Sequence, residues 1–482
     1  MYATLGATLV ILWPPLARPV LDGDSLLYHL PNAAAFVQNA SLWKVQAPYW
    51  FYPPASELFA AGIFAASGRW SLPIAGALPA LLIVARLYAI ARANGAEAWR
   101  AASIPLAFIC TPVAAFEAGT LQNDLWLAAF FVEVLASGSV LAAAICALLK
   151  PYGWIEAIIA AWCARVPARL VALAFLPFVF WIARDAVLLG GAGVSFTAAY
   201  WSSTIAGNAA IAFPQLANGV AAVTPQAFVW FAALLAGFVF RDTRRYAASG
   251  VAAFALYCFL PVSYRAYATN YVLDASSLRY ALPALAAGAF VAVVVVARSR
   301  AWLAGIAYAV AAWGVWSVLA VFWNDGFARW AVLVAAVCVG AALLARRTRA
   351  VSIAAAVLAV LLVGSWAAST RAPGFYADWM RQPSGQPTGA FSWVATHHPR
   401  AIVAQNVRTG AIVMASPRTR VIDGDDATPD VCASARAMHA LVLAGSNESA
   451  QDAALRSLMA HAKSCGKVLF EDGAAVVVQP AP

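Results

Sequence analysis

LDGDSLLYHLPNAAAFVQNASLWKVQAPYWFYPPASE, residues 21–57, interrupts an otherwise apolar beginning of the chain. The stretch carries Asp22, Asp24, His29, Lys44 and Glu57, then Trp43, Tyr49, Trp50, Phe51 and Tyr52, with the rigid pair Pro53-Pro54 close to its end. Apolar segments lie on both sides of it. Acids, aromatics and prolines gathered between hydrophobic segments mark a working loop at a membrane surface.

The rest of the chain agrees with a membrane setting. Its 482 residues are 63% hydrophobic and only 11% charged, with a mean hydropathy of +0.76. A soluble protein carries about a quarter charged residues. This chain cannot cover its own surface with polar groups, so lipid must be the solvent for most of it. A membrane β-barrel would show alternating segments of about ten residues; the apolar runs here are long and continuous. The net charge of +10 does not point to nucleic acid. Most basic residues fall in short clusters between apolar runs: Arg86/Arg92/Arg100, Arg165/Arg169, Arg241/Arg244/Arg245, Arg298/Arg300 and Arg346/Arg347/Arg349. That is the signature of cytoplasmic loops.

Spans counted between these clusters predict an all-α polytopic protein of about 13 transmembrane helices. Tyr2–Val20 reads as a retained first span, because it lacks a basic n-region and a good cleavage site. Residues 137–169 read as a hairpin of two short spans with Lys150 near the outer turn; read as one cytoplasmic amphipathic segment, they reduce the count to about 11. Trp302–Phe322, Trp330–Leu344 and Ser352–Trp366 are the last expected spans. Either odd count puts the tail on the side opposite a cytoplasmic N-terminus. Residues 1–370 therefore form a transmembrane domain whose working outer loop is 21–57.

Residues 371–482 form a small extracytoplasmic α/β domain. Ala401–Ala404 and Ala440–Leu443 read as buried strands, Glu448–Lys463 as a helix, and Lys467–Gln479 as a hairpin turning at Asp472-Gly473. The tail has no glycine-rich phosphate fingerprint, and the chain has no CxxC or zinc-type spacing. Asp423, Asp425 and Asp426 form either a cation site or a solvated acidic turn. Cys110, Cys146, Cys163, Cys258 and Cys338 read as small packing residues. Cys432 and Cys465 have the chance to pair if the tail is outside the cytoplasm.

Several side chains have both a chemical and a structural reading. Asp22 or Asp24 could cap a helix starting near Ser25, a role that suits Asp22. Asp24, with His29 and the aromatic-proline segment beyond, instead has the makings of a base that takes a proton from an attacking hydroxyl. Asp124, at the end of EAGTLQND, enters a span, where an ionisable group marks function by default. Glu117 is either a second such group or an interfacial one. Lys150, Arg184, Arg265 and Arg279 are cations on the outer side, against the usual bias. They suit a phosphate leaving group, since guanidinium forks pair two phosphate oxygens. Their structural alternative is an ion pair, Arg184 with Asp185 or Arg279 with Asp274.

LDGDSLLYHLP, a Tyr-Pro-Pro, QNDLWLAAFF, LLKPYG and SLRYALPAL, in that order, resemble motifs of the GT-C membrane glycosyltransferases. The similar branch is the bacterial one related to protein mannosyltransferases and aminoarabinose transferases. The resemblance implies the GT-C fold with an extracytoplasmic C-terminal domain. It implies Asp24, four positions before Tyr28, as catalytic base, and Asp124 as the second-loop acid. It implies Lys150 and the Arg279-Tyr280 pair at the lipid phosphate; from the reading of the outer cations, Arg184 or Arg265 is the expected helper. Asp22, Tyr28, His29, Glu57 and Tyr280 are the expected substrate contacts. Three features depart from the pattern: Ser25 where a second acid is common, Lys-Pro-Tyr-Gly in place of Lys-Gly, and no Gly-Asn-Pro after Arg184.

The function so implied is an inverting transfer of a sugar from a polyprenyl-phosphate donor to the hydroxyl of a glycan, lipid or protein acceptor. The setting is the periplasmic face of a bacterial inner membrane. No cofactor and no metal are expected, because the cations can serve a monophosphate donor. Two alternatives come from other classes. A flippase or transporter of lipid-linked sugars would use the same cations without a base. A non-catalytic envelope-assembly protein would use the tail to dock a partner.

Overall fold

The computed structural model describes residues 2–12, 16, 19–20, 22–43, 49–189, 226–259, 278–299, 301–322, 388–424, 430–445 and 453–481. Lys44, Arg265, Asp274, Asp425, Asp426 and the expected spans Trp330–Leu344 and Ser352–Trp366 lie outside the described residues. The chain divides into two compact units, one made of Met1–Leu16, Gly76–Gly119 and Asn123–Gly364, the other of Ala17–Ala75, Thr120–Gln122 and Ser365–Pro482.

The first unit is helical. Its elements follow the apolar runs: Pro73–Ala93, Ala98–Ile109, Asp124–Ser137, Ala168–Ala174 with Leu176–Leu189, Ala227–Gly237, Arg244–Phe259, Leu282–Arg298 and Trp302–Phe322. Among the described residues, Arg69–Ala93, Ala168–Leu188 and Leu278–Arg298 are long and apolar enough to cross a membrane. Leu282–Arg298 is the helix about which the others assemble, being almost wholly buried against Ala98–Ile109, Asp124–Ser137, Ala227–Gly237 and Arg244–Phe259. Small residues allow this approach. A Cβ at Gly288 would strike the Trp230 backbone, and one at Gly250 would meet Leu234 and Ala287. Trp230, fully buried, keeps its indole satisfied by donating to Thr111 Oγ1 at 2.9 Å. Residues 137–169 do form a hairpin of helices, Val140–Ala147 and Gly153–Cys163, joined by a turn at Lys150.

The second unit contains a five-stranded sheet of β1 (Ala401–Gln405), β2 (Arg420–Asp423), β3 (Leu441–Gly445), β4 (Gly466–Glu471) and β5 (Ala475–Pro480), in the order β2-β1-β3-β5-β4. β1 is parallel to β2 and β3, while β5 runs antiparallel to β3 and to β4. The expected strands and the hairpin at Asp472-Gly473 are present; β2 is an additional strand at one edge. Strand residues alternate faces with a period of two. Val403, Val442, Ala444, Val476 and Val478 pack on helices Val431–Ala437 and Ala453–Ser464. Ile402, Ala404, Leu443, Ala475 and Val477 share a second core with helix Thr409–Ala415 and with the segment opened by residues 21–57. That core takes in Leu26, Leu30, Ala33 and Ala34, then Ala60, Ala61 and Phe64 of helix Ala55–Ser67. The tail sheet therefore has no free face there: residues from the early segment complete its hydrophobic layer.

Cys432 and Cys465 are joined by a disulfide across 33 residues, with a Cα–Cα distance of 5.3 Å. It links helix Val431–Ala437 to the end of Ala453–Ser464. Closing a loop of this size contributes between about 3 and 5 kcal/mol by restricting the unfolded chain. Replacing both cysteines with serine is expected to lower the unfolding temperature of the tail region. Thermal melts of the full-length protein with and without reductant check this: reductant should destabilise the parent and leave the double variant unchanged.

Candidate functional site

In the helical unit, charges from three distant segments converge. Asp124 opens helix Asp124–Ser137, where the positive end of the helix favours a carboxylate. Its Oδ1 lies 2.6 Å from Lys150 Nζ and its Oδ2 3.6 Å from Arg279 Nε. Asp124 is 1% exposed and Lys150 7% exposed. Lys150 sits in the turn between two helices, and that turn is tight. A Cβ at Gly153 would strike the carbonyl oxygen of Cys146, so only glycine lets the backbone close there. Asn123 ties the turn to the start of the Asp124 helix by donating to the Leu149 carbonyl at 2.5 Å.

Tyr280 completes the arrangement. Its ring lies 4.2 Å from Lys150 Nζ, and its hydroxyl accepts from Arg279 at 2.9 Å. Burial pulls the Lys150 ammonium below its ordinary range, Asp124 works against that, and Arg279 adds to it. Two cations thus share the buried Asp124 carboxylate, and the charge of Glu117 also acts on Lys150. Such a site is suited to an anion with a localised charge, such as a phosphate oxygen.

Two residues that motif reading passed over belong to the same neighbourhood. Tyr152 follows Lys150 by two positions, and the ammonium lies 5.7 Å from its ring. Tyr152 Oη and Glu156 Oε2 are both buried without a hydrogen-bond partner. The signal for Glu156 was available, because an acid inside GWIEAIIAAWC is an ionisable group in an apolar helix.

Arg184 pairs with the neighbouring Asp185 at 2.6 Å, both buried, and stacks 4.1 Å over Trp181. Its structural alternative, the ion pair, is what is seen. Arg279 uses Asp124, while Asp274, its other expected partner, lies outside the described residues.

In the second unit, the first-loop residues form their own constellation. Asp22 Oδ1 accepts from the Ser25 N–H at 2.9 Å and from Gln122 Nε2 at 3.0 Å. Ser25 Oγ in turn accepts from the Leu121 N–H at 2.9 Å. Asp22 is thus the capping acid. Asp24 makes no cap bond and leads into a π-helix, Ser25–His29, a form that recurs at functional sites. His29 Nδ1 lies 2.6 Å from Glu57 Oε1, both buried, and Ser56 donates to Glu57 Oε2 at 2.8 Å. This pair ties the π-helix to helix Ala55–Ser67. Tyr28 stands against Tyr49 and Tyr52, with ring centroids 5.3 and 5.8 Å away.

Tail residues approach the same π-helix, and motif reading gave no hint of them. A Cβ on Gly410 would come within 2.5 Å of the Leu26 carbonyl oxygen and 2.7 Å of its Cα. Arg408 places a guanidinium nitrogen 4.0 Å from where a Gly23 side chain would begin. A glycine in the first turn of a helix of seven residues is unremarkable in sequence, so the close contact has no one-dimensional signal.

No family model and no curated protein matches the chain by sequence. Among solved structures, the crystal structure of ArnT from Cupriavidus metallidurans bound to undecaprenyl phosphate is similar, with a TM-score of 0.55 at 17% identity, over 98% of this chain and 97% of that one. ArnT from the same organism in the apo state gives a TM-score of 0.50 at 17% identity, over 98% and 96%. At this identity the likeness is one of fold. It gives the chain the largely helical ArnT-like architecture with a small sheet, in keeping with the motifs that resemble aminoarabinose transferases.

The buried triad makes a direct stability test possible. Removing one member of a buried ion pair costs about 3–5 kcal/mol, because the remaining charge stays buried without compensation. Asp124→Asn and Lys150→Met should each destabilise the protein on this scale. The double variant should cost less than the sum by about 1–3 kcal/mol. Thermal unfolding of the three variants in one detergent measures the coupling, and strict additivity would remove the triad.

Proposed function

We propose that the protein is a GT-C glycosyltransferase of a bacterial inner membrane, moving a sugar from a polyprenyl-phosphate donor to an acceptor hydroxyl at the periplasmic face. The observation that carries this reading is the buried Asp124–Lys150–Arg279 group, in which two cations from distant segments converge on one carboxylate. It is supported by the fold likeness to ArnT, whose crystal structure holds undecaprenyl phosphate. The tail disulfide favours an oxidising compartment, hence the periplasm.

In this reading Lys150 and Arg279 hold the donor phosphate, and Tyr280 fixes the direction of both cations. Asp124 keeps the two cations close together despite their repulsion. Asp24 is the base. As the acceptor oxygen bonds to the anomeric carbon, its proton passes to the Asp24 carboxylate. The bond from that carbon to the phosphate oxygen breaks, and its electron pair leaves with the phosphate. Attack opposite the leaving group inverts the anomeric centre. Lys150 and Arg279 stabilise the charge that grows on the departing oxygen and take the place of a divalent metal. Tyr28, His29 and Glu57 shape the acceptor side, with Asp22 fixing the start of the π-helix.

The test is turnover of an undecaprenyl-phosphate-linked sugar by the purified protein. A general base contributes about 10²–10⁴ in rate. Asp24→Asn should lose turnover on that scale while still binding the donor lipid. Transport of a lipid-linked sugar unaffected by Asp24→Asn would establish the flippase alternative. Absence of turnover and transport in both forms, with partner docking retained, would establish the assembly role. Turnover should also persist in excess chelator; its loss and recovery on adding a divalent ion would assign the phosphate to a metal instead.

A further inference from the structure

The basic clusters that orient the chain do not merely ring the helical unit. Three of them supply arginines to one cavity of about 780 Å³. Arg165 comes from the end of helix Gly153–Cys163, Arg241 from the turn before Arg244–Phe259, Arg244 and Arg245 from the start of that helix, and Arg298 from the end of Leu282–Arg298. Asp242 is the sole carboxylate in the lining, and it is already paired with Arg298 at 2.6 Å. Arg244 and Arg245 are held by neutral acceptors, the Phe238 carbonyl at 2.8 Å and the Tyr246 hydroxyl at 2.6 Å. Among the described residues, Arg165 and Arg241 have no ion-pair partner. The cavity wall therefore carries a surplus of four positive charges, five arginines against one aspartate.

Arg165 stands where its backbone would prefer another residue. Helix Gly153–Cys163 ends with the Val166 N–H bonded back to the Ala161 carbonyl at 2.9 Å. This closure puts Arg165 in the left-handed region, φ +59°. Glycine is the usual occupant of that position, because a Cβ there is strained. A guanidinium is thus held over the cavity at a conformational cost. The inner wall is apolar, with Ile90, Phe290 and Val294 continuing the helix surfaces.

We propose that this cavity binds a phosphate group, presented by the headgroup of an anionic membrane phospholipid on the face the basic loops mark as cytoplasmic. Phosphate accounts for the convergence of guanidinium forks. A lipid accounts for the apolar wall beside them, and basic pockets between helix ends on this side of a membrane are suited to such headgroups. Orientation by positive loops needs arginines on one side only; it does not need them around one cavity.

Native mass spectrometry of the detergent-solubilised full-length protein tests this, with cardiolipin or phosphatidylglycerol offered against phosphatidylcholine. The parent should retain the anionic lipids preferentially. Arg165→Gly should keep or raise the unfolding temperature, since it relieves the left-handed strain, yet weaken anionic-lipid retention. Arg241→Gln should weaken it as well, each by about fivefold. Equal retention of anionic and neutral lipid, or unchanged retention in both variants, would overturn the proposal. Displacement of the bound lipid by millimolar inorganic phosphate or pyrophosphate would assign the cavity to a soluble anion and overturn the lipid source.

Discussion

The buried contact between Asp124 and its two cations is the constraint on which the helical unit depends. Carrying one carboxylate and two cations out of water costs several kcal/mol per ion, and only close pairing returns it. The chain meets this requirement with secondary structure rather than long reach. Asp124 starts a helix, Lys150 occupies a turn, and Arg279 lies in the 3₁₀ segment that leads into the most buried helix. Each charge therefore sits at an element end, and at Asp124 the free N–H groups that open the helix favour the carboxylate. A stability argument alone would favour apolar residues in these places. Their retention, with two cations gathered on one carboxylate, is what gives the cluster a reading as a site for an anionic ligand.

The second unit answers a different need. A sheet in a domain of this size must bury both faces, and a tail of roughly one hundred residues is on the modest side for doing so alone. Here one face uses the tail's own helices alone, while the core on the other combines tail helices with helices from the beginning of the chain. The consequence concerns Asp24. Its π-helix is fastened by His29 to Glu57 on one side and by the close passage of Gly410 on the other. The tail thereby makes a contact that its own sequence does not announce: it packs against the segment that carries Asp24.

Legibility in the sequence followed the physics of each feature. Helices such as Trp302–Phe322 were readable because solvation by lipid writes itself as uninterrupted apolar composition. The hairpin at Asp472-Gly473 was readable because its turn has local chemistry. Lys150 and Arg279 stood out because each is a cation set apart from the basic clusters between the apolar runs. Asp22 as the capping acid followed from its spacing to Ser25. β2 was missed because RVID is short and lies at a sheet edge, where pairing rather than composition makes the strand. The contact of Arg408 and Gly410 with the first loop was invisible for a stronger reason: it depends on residues nearly four hundred positions apart.

One departure from the resembled motif has a physical account. The related enzymes show Lys-Gly where this chain has Lys150-Pro151-Tyr152-Gly153. A glycine in such a turn is needed where the backbone passes close to another strand of chain, and here that passage is at Gly153, against the Cys146 carbonyl. With the tight point moved two residues along, the position after the lysine is free to hold proline. Proline then fixes the backbone that carries Lys150 toward Asp124, and Tyr152 brings an aromatic face beside the ammonium. The motif has changed its letters while keeping what the lysine requires, a closed turn and a carboxylate within reach.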